Sequence, residues 1–397
     1  VKSVWSAYDN SIFEILPEYG EQWMKAAEAI LSGTGRSRID IERFADYIRK
    51  NKKRFLDQYE GVRDHAEVLD IDLSDVKDGW LKHKKGSFRF INRDFVDPKQ
   101  AEIKEIDFLS IFAGKIDPVV VTKVSDNCDG FFDRLVYTDV HIGMDVNKDG
   151  YSLYGGKWDE QELNRRLETM VNKVIANQKA NVLYIDDLGD LMDGYDGQTV
   201  RQGHSLPQNM DNQKAFDVGL KFKIRMIDAL VNHYDRIVCH NITDDNHGGS
   251  FTYIVNSAFK VYVEMKYPGV VEVVNQRKFI DHYNVGKYVF ILTHGKDGKN
   301  LKHGFKPILD KTQESRIISY IKANDLLKKE YVVEFSKGDS HQLIFDWSTS
   351  RWFRYCNYPA FSPPSNWVQT NFEDSISGFM FFNYHEHTDK SINEHLF

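Results

Sequence analysis

The chain has 397 residues, 41% hydrophobic and 13% aromatic, enough apolar material for two or three domains with real cores. Lysine and arginine number 52 against 59 aspartates and glutamates, a net charge of −7, which excludes wholesale electrostatic wrapping of a polyanion but not a local basic face. Cys128, Cys239 and Cys356 are too few and too scattered for a disulfide framework or a zinc knuckle. With no secretory h-region and no apolar run long enough to span a bilayer, they predict reduced thiols in a cytoplasmic protein with no membrane partner.

Residues 1–125 read as a mainly helical N-terminal domain. Gln22 to Leu31 has the periodicity of an amphipathic helix and stops at Ser32-Gly33-Thr34-Gly35. Ile39 to Tyr59 reads as a second, with Ile41, Phe44, Ile48 and Phe55 on one face and Lys50, Lys52, Lys53 and Arg54 crowding its later half. A helix, a glycine turn and a basic helix suit a DNA-binding helix-turn-helix; a small helical domain with a solvated basic face is the default. Gly79 to Phe90 interleaves basic and aromatic residues, as a nucleic-acid-facing hairpin or a lysine-protected edge strand does.

Residues 126–347 alternate short apolar runs with helical patterns, which predicts an α/β layered β-sandwich flanked by helices. Glu162 to Lys179 carries the stripe Leu163, Leu167, Met170, Val171 and Val174, and Phe216 to Val231 is a second such helix. Residues 348–397, aromatic-rich from Trp352 and Phe353 through Trp367 to Phe379–Phe382, read as a β-rich C-terminal cap. The last residues, with His385, His387 and His395, read as a frayed tail.

The chemistry sits where the apolar runs end. Leu135 to Thr138 leads to Asp139-Val140-His141, whose alternate side chains converge from one side of a strand. Tyr184-Ile185 leads through Asp186 and Asp187 to Gly189-Asp190; Ile237-Val238-Cys239 leads to Asn246-His247. Tyr288 to Thr293 ends at His294, and Gly338-Asp339-Ser340-His341 follows. Mixed carboxylate and imidazole donors suit Mn²⁺, Fe or Zn²⁺ better than Ca²⁺. A pair of such ions roughly 3.5–4 Å apart clamps a phosphoryl group and activates water near neutral pH. Asp145-x-Asn147-x-Asp149-Gly150 imitates the start of a calcium loop, but Gly156 stands where the bidentate glutamate belongs, so a polar turn is predicted.

These segments resemble the calcineurin-like metallophosphoesterases, whose pattern runs D-x-H, G-D-x-x-D, G-N-H-[DE], a lone His and G-H-x-H, over roughly residues 130–345. The resemblance implies a first metal held by Asp139, His141, Asp190 and His341. It implies a second held by Asp190 as bridge, Asn246, His294 and Asp339. His247 would contact the scissile phosphate and protonate the leaving group, and Asp193 would support the donors by hydrogen bonding. Three residues depart from the pattern: Asp245 stands for the glycine before Asn246, Gly248 for the carboxylate after His247, and Asp339 for the first His of the last motif. Asp339 hardens the second site toward Mn²⁺ or Mg²⁺.

Asp139 to Met144, Gly189 to Gly194 and Gly203 to Met210 are similar to phage and prophage members that resemble double-strand-break-repair nuclease subunits. The implied function is a Mn²⁺-dependent DNA nuclease, with an ATPase partner and a homodimer left open. The alternatives are a phosphomonoesterase or protein phosphatase on the same scaffold, and a nucleic-acid-binding protein with a degenerate metal site. His204 is a candidate substrate contact or a surface residue; His240 and His303 read as structural or exposed.

Overall fold

The computed structural model of the chain describes residues 4–9, 11–12, 22–51, 78–83, 86–91, 106–121, 130–146, 156–201, 203–295, 307–328, 330–365, 368, 376–388 and 391–396. Two compact units divide it, Val1–Glu105 and Ile106–Phe397. The division falls ahead of residue 125 for a packing reason. Helix α3 (Phe108–Phe112) sets Phe112 edge-on against Tyr262, and Val119 N donates to Lys266 O, so this segment is bound into the second unit.

In the first unit, α1 (Trp23–Ile30) and α2 (residues 38–51) close on Ile12, Ala26, Ala27, Leu31, Phe44, Ala45 and Ile48. Trp5 and Tyr8 pack their rings on Phe44. Asp46 pairs with both Arg49 and Lys50, so part of the basic face is neutralised within its own helix. Lys52, Lys53, Arg54 and Phe55 lie outside the described residues. The basic-aromatic stretch is an antiparallel hairpin of β1 (Asp78–His83) and β2 (Gly86–Ile91).

The second unit is a four-layer α/β sandwich. Its six-stranded sheet runs in the order β13 (Ser391–Leu396), β12 (Gly378–His385), β3 (Phe131–Tyr137), β4 (Val182–Asp187), β5 (Arg236–Ile242) and β6 (Val271–Gln276). The strands β3 to β6 are parallel. The five-stranded sheet runs β10 (Ile344–Asp346), β11 (Arg354–Asn357), β9 (Val332–Lys337), β8 (Tyr288–Thr293) and β7 (Ile280–Val285).

Strand alternation builds the layers. Leu135 and Tyr137 of β3 face α4 (Glu160–Ala176), α5 (Asn212–Leu230) and α6 (Ser250–Lys266), while Phe132 and Val136 enter the space between the sheets with Phe290, Leu292, Tyr358 and Phe382. On the far side, α7 (Lys311–Ala323) covers Val289, Ile291, Val333 and Phe335. Three of these four helices start on an aspartate whose side chain accepts a backbone N–H three residues on, Asp159 for α4, Asp211 for α5 and Asp310 for α7, while α6 follows Gly249 without a side-chain cap. The predicted stripe of α4 is buried in full.

The C-terminal aromatic residues are β-rich, and their strands belong to the two sheets themselves. Phe379 and Phe381 face the helices while Met380, Phe382 and Tyr384 face the other sheet, so β12 is buried on both faces beside β3. The stretch read as a frayed tail is β13, paired antiparallel to β12. Trp367 and the calcium-loop mimic from Asn147 to Gly150 lie outside the described residues. No described helix is long and apolar enough to cross a membrane.

The space between the sheets also holds charge. Arg134, Asp186 and Glu334 are fully buried there, with Arg134 Nε 2.6 Å from Asp186 Oδ2 and Nη1 3.8 Å from Glu334 Oε2. The tyrosines Tyr283 and Tyr384 donate to Asp186 and Glu334. His240, read as structural, stacks on Tyr283 with its Nδ1 3.4 Å from Asp186.

Candidate metal centre

Every candidate donor lies in a loop that follows the C-terminal end of a parallel strand, where an open α/β sheet characteristically presents ligands. Asp139 and His141 follow β3, Asp190 follows β4, Asn246 and His247 follow β5, His294 follows β8, and Asp339 and His341 follow β9. The two sheets thus bring donors to one place from opposite sides. Asp139, His141, Asp190, Asn246, His294, Asp339 and His341 are all buried.

Their atoms converge. Asp139 Oδ1 lies 3.3 Å from His341 Nε2 and 3.6 Å from His141 Nε2, and the two imidazole nitrogens are 3.4 Å apart. Asp190 Oδ2 lies 2.9 Å from His294 Nε2, 3.8 Å from His247 Nε2 and 3.9 Å from His141 Nε2. His294 Nε2 is also 3.7 Å from Asp339 Oδ1. Three overlapping groups, Asp139–His141–His341, His141–Asp190–His247 and Asp139–Asp190–His294, each hold their ligand atoms within 4.8 Å.

The backbone at these positions is unusual. Asp139, His141, Asp190, Asp339 and His341 all have positive φ, between 49° and 67°. For residues with a Cβ the left-handed region costs roughly 1–2 kcal/mol each, and such strain concentrates at functional sites. The turns are held shut by hydrogen bonds between loops: Asp139 N to Gly189 O, His141 N to Asp190 O, and Asp339 N to Asp139 Oδ2. Gly338 has no room for a side chain, since a Cβ there would meet Thr138 Oγ1 and stand 2.9 Å from Asp139 Oδ2.

The donor set fits divalent cations. Asn246 Oδ1 and Asp339 Oδ2 are buried without a hydrogen-bond partner among the described residues, and the neighbours of Asp139 Oδ1 and His294 Nε2 are other candidate donors. An unpartnered buried polar atom costs about 1–3 kcal/mol, a cost that cation ligation offsets. The charges are also mutually tuned. Burial opposes the imidazolium of His294, but Asp190, Asp139 and Asp339 outweigh it and push its pKa up to about 10. Burial likewise opposes the charge on Asp139, and the neighbouring histidines hold its carboxyl well below the usual range. Protons and cations compete for the same lone pairs, so cation affinity rises with pH.

His247 stands slightly apart. Its side chain is 20% exposed, its Nδ1 lies 2.7 Å from Asp193 O, and its Nε2 faces Asp190. Asp193 therefore supplies the orientation that the missing carboxylate after His247 does not, and its own Oδ1 lies 3.1 Å from His141 Nδ1. The Gly203–Met210 stretch is anchored to the chain after His141 by Asn209 Nδ2 donating to Met144 O and Asp145 N donating to Pro207 O. His204 is exposed.

Three supports were not legible as such. Asp187 accepts from Gly189 N and pairs with Lys223 Nζ at 2.8 Å, and Lys223 also donates to Asn241 and Asn256. Lys337 donates to Gly338 O, Ser340 Oγ and Asn357 Oδ1 beneath the last donor loop; burial pushes its ammonium down to about 8. Asp245 bonds the Asp190 turn, and burial and the Asp190 charge push its carboxyl up to about 7. The available signals were a buried lysine in an otherwise apolar helix stripe, at Lys223, the departure at Asp245, and Asp187 as a strand-end turn cap.

No protein-family model matches the chain, and no curated protein does. Solved structures that align with it include Vps29 from Entamoeba histolytica, complexed with Zn²⁺, at 12% identity over 66% of this chain and 98% of that one, TM-score 0.29. Vacuolar protein sorting 29 from Cryptosporidium parvum aligns at 11% identity over 68% and 100%, TM-score 0.29. A 5′-nucleotidase from Candida albicans aligns at 10% over 70% and 52%, TM-score 0.29.

Proposed function

We propose that this chain is a two-metal phosphoesterase that hydrolyses phosphodiester bonds, with DNA as its substrate. The observation that carries the reading is the convergence of seven buried donors from both sheets, with Asn246 Oδ1 and Asp339 Oδ2 unpartnered among the described residues, beside one partly exposed histidine. Asp139, His141, Asp190 and His341 would hold one cation; Asp190, Asn246, His294 and Asp339 would hold the other. When bound, a divalent pair of the Mn²⁺ type supplies charge stabilisation and a nucleophile at neutral pH.

The protein's own part is proton placement. Burial disfavours the imidazolium of His247, but Asp190 and Asp193 raise its pKa. With Nδ1 fixed on the Asp193 carbonyl, the second proton sits on Nε2, the nitrogen placed to hand it to a leaving oxygen. His247→Ala is therefore expected to keep both cations and lose about 10²–10⁴-fold in turnover. Metal analysis of the purified variant checks the division of labour: loss of the cations with the imidazole would refute it.

Support for a nucleic-acid substrate comes from the connection between β10 and β11. Trp347 and Trp352 are 46% and 39% exposed there, with Arg354 and Arg351 over their rings at 4.7 and 4.5 Å. Indole faces beside guanidinium groups suit stacked bases and a phosphate backbone, each stack being worth roughly 1–3 kcal/mol. The double variant W347A/W352A is expected to lose about tenfold or more in affinity for single-stranded DNA. Its turnover of an aryl phosphodiester should stay unchanged.

The deciding assay is Mn²⁺-dependent cleavage of end-labelled single- and double-stranded DNA beside an aryl phosphodiester and monoester. DNA cleavage that disappears in Asp190→Asn supports the proposal. Turnover of the monoester far above any DNA would move the chain to the phosphatase alternative, and DNA binding without cation binding to the degenerate-site alternative.

A further inference from the structure

The departures around Asn246 and His247 have a common geometric cause. In the resembled pattern a glycine precedes this pair and a carboxylate often follows it; here Asp245 precedes and Gly248 follows. The carboxylate has changed sides. No side chain fits at Gly248, where a Cβ would meet Thr252 Oγ1 and stand 2.9 Å from Met192 Cβ.

Asp245 is 2% exposed and its two oxygens reach in different directions. Oδ2 accepts the Asp190 N–H at 3.2 Å; Oδ1 accepts the N–H groups of Gly248 at 2.9 Å and Gly249 at 2.6 Å. The His247 N–H donates back to Asp190 Oδ1 at 3.2 Å, closing a ring of hydrogen bonds between the two loops. Asp190 sits at φ 50°, a conformation that persists only when its surroundings over-determine it. The acceptor on its amide is part of that determination.

We propose that Asp245 is a positioning residue: its carboxylate locks the Asp190 turn to the Asn246–His247 loop and so sets the separation of the two cation subsites. This rests on the two-metal reading above. Asp245→Asn tests it without a change of volume, because the amide turns one accepting oxygen into a donor facing an N–H. Asp245→Ala removes both ties.

Calorimetric Mn²⁺ titration of the metal-free full-length chain, beside its thermal melt without metal, reads the effect. The wild type is expected to bind two ions. Both variants should bind them about 10–100-fold more weakly, the range for losing a partner of a ligand. The Asn variant should keep the metal-free melting midpoint. The double variant D245G/G248D, which restores the common pattern, should bind no better than D245G, since Gly248 has no space.

Wild-type affinity in Asp245→Ala would overturn the proposal, as would rescue by the double variant. A loss of affinity that merely tracks lost metal-free stability in both variants would reduce Asp245 to a structural role and overturn it too. A wild type that binds no Mn²⁺ at all would instead remove the two-metal reading on which it stands.

Discussion

Asp190→Asn is expected to leave the fold intact, to bind at most one Mn²⁺ in place of two, and to lose turnover by more than the roughly 10–100-fold that follows loss of an outer partner. The reason is that one oxygen serves the whole cluster. Asp190 Oδ2 faces His294, His247 and His141 within 3.9 Å, while Oδ1 accepts the His247 amide. An amide keeps the shape but removes the negative charge that the two proposed subsites would share. A second readout needs no cation. Burial pulls the His294 pKa down, and Asp190 is the foremost group pushing it up to about 10, so the variant's imidazole should titrate at lower pH in the metal-free protein. NMR titration of the histidine signals measures it. An unmoved His294, with two Mn²⁺ still bound, would show that Asp190 is not the shared ligand.

Four of the candidate donor segments were legible because an apolar run and a polar loop lead to them, whereas Asp339 and His341 follow Val332-Val333-Glu334-Phe335-Ser336-Lys337 and were read from their motif alone. The strain at these positions was not legible. Left-handed turns announce themselves through glycine, whereas five of these positions carry Asp or His. Asp245 was visible as a departure, but the amide it bonds is 55 residues away in sequence, and no local pattern records such a contact. The C-terminal strands were misjudged for a related reason. The hydrogen bonds of β13 run to β12 through its backbone, so Ser391-Ile392-Asn393-Glu394-His395 reads as a polar tail although it lies at a sheet edge. In β3, Asp133 and Arg134 are adjacent and so point to opposite faces of the sheet, yet both are fully buried.

Arg134 carries a large expected stability effect. Arg134→Met is expected to destabilise the fold by about 3–5 kcal/mol, the usual result of stripping one partner from a buried ion cluster. That corresponds to a fall in melting midpoint on the order of 10 °C for a unit of this size. Asp186 would remain in the core between the sheets beside Tyr283 and His240, and Glu334 beside Tyr384 and Arg354, whose Nη1 lies 3.4 Å from Oε1. The triple variant R134M/D186N/E334Q should recover most of the loss, because the penalty comes from unpaired charge and not from missing volume. The pH dependence has a definite sign. Burial raises the Asp186 pKa, Arg134 and His240 more than reverse it, and the net depression is a stabilisation present above the unfolded-state value and lost as pH falls through the folded one. Without Arg134 the burial of Asp186 is opposed by His240 with no guanidinium beside it, so the depression shrinks and the variant has less stability to lose as pH falls. The gap between wild type and variant should therefore narrow toward acid, as chemical denaturation at neutral and mildly acidic pH would register. A gap that is constant or widens would mean that the ring contact of Arg134 with Phe290, at 4.1 Å, and not its charge, dominates. The same residue bears on the site. Arg134 ties β3 to Asp186 on β4 and to Ser336 on β9, the strands that lead into Asp139, Asp190 and Asp339. A donor set assembled from two sheets stays assembled only while the sheets keep register, and this buried cation is one of the ties between them.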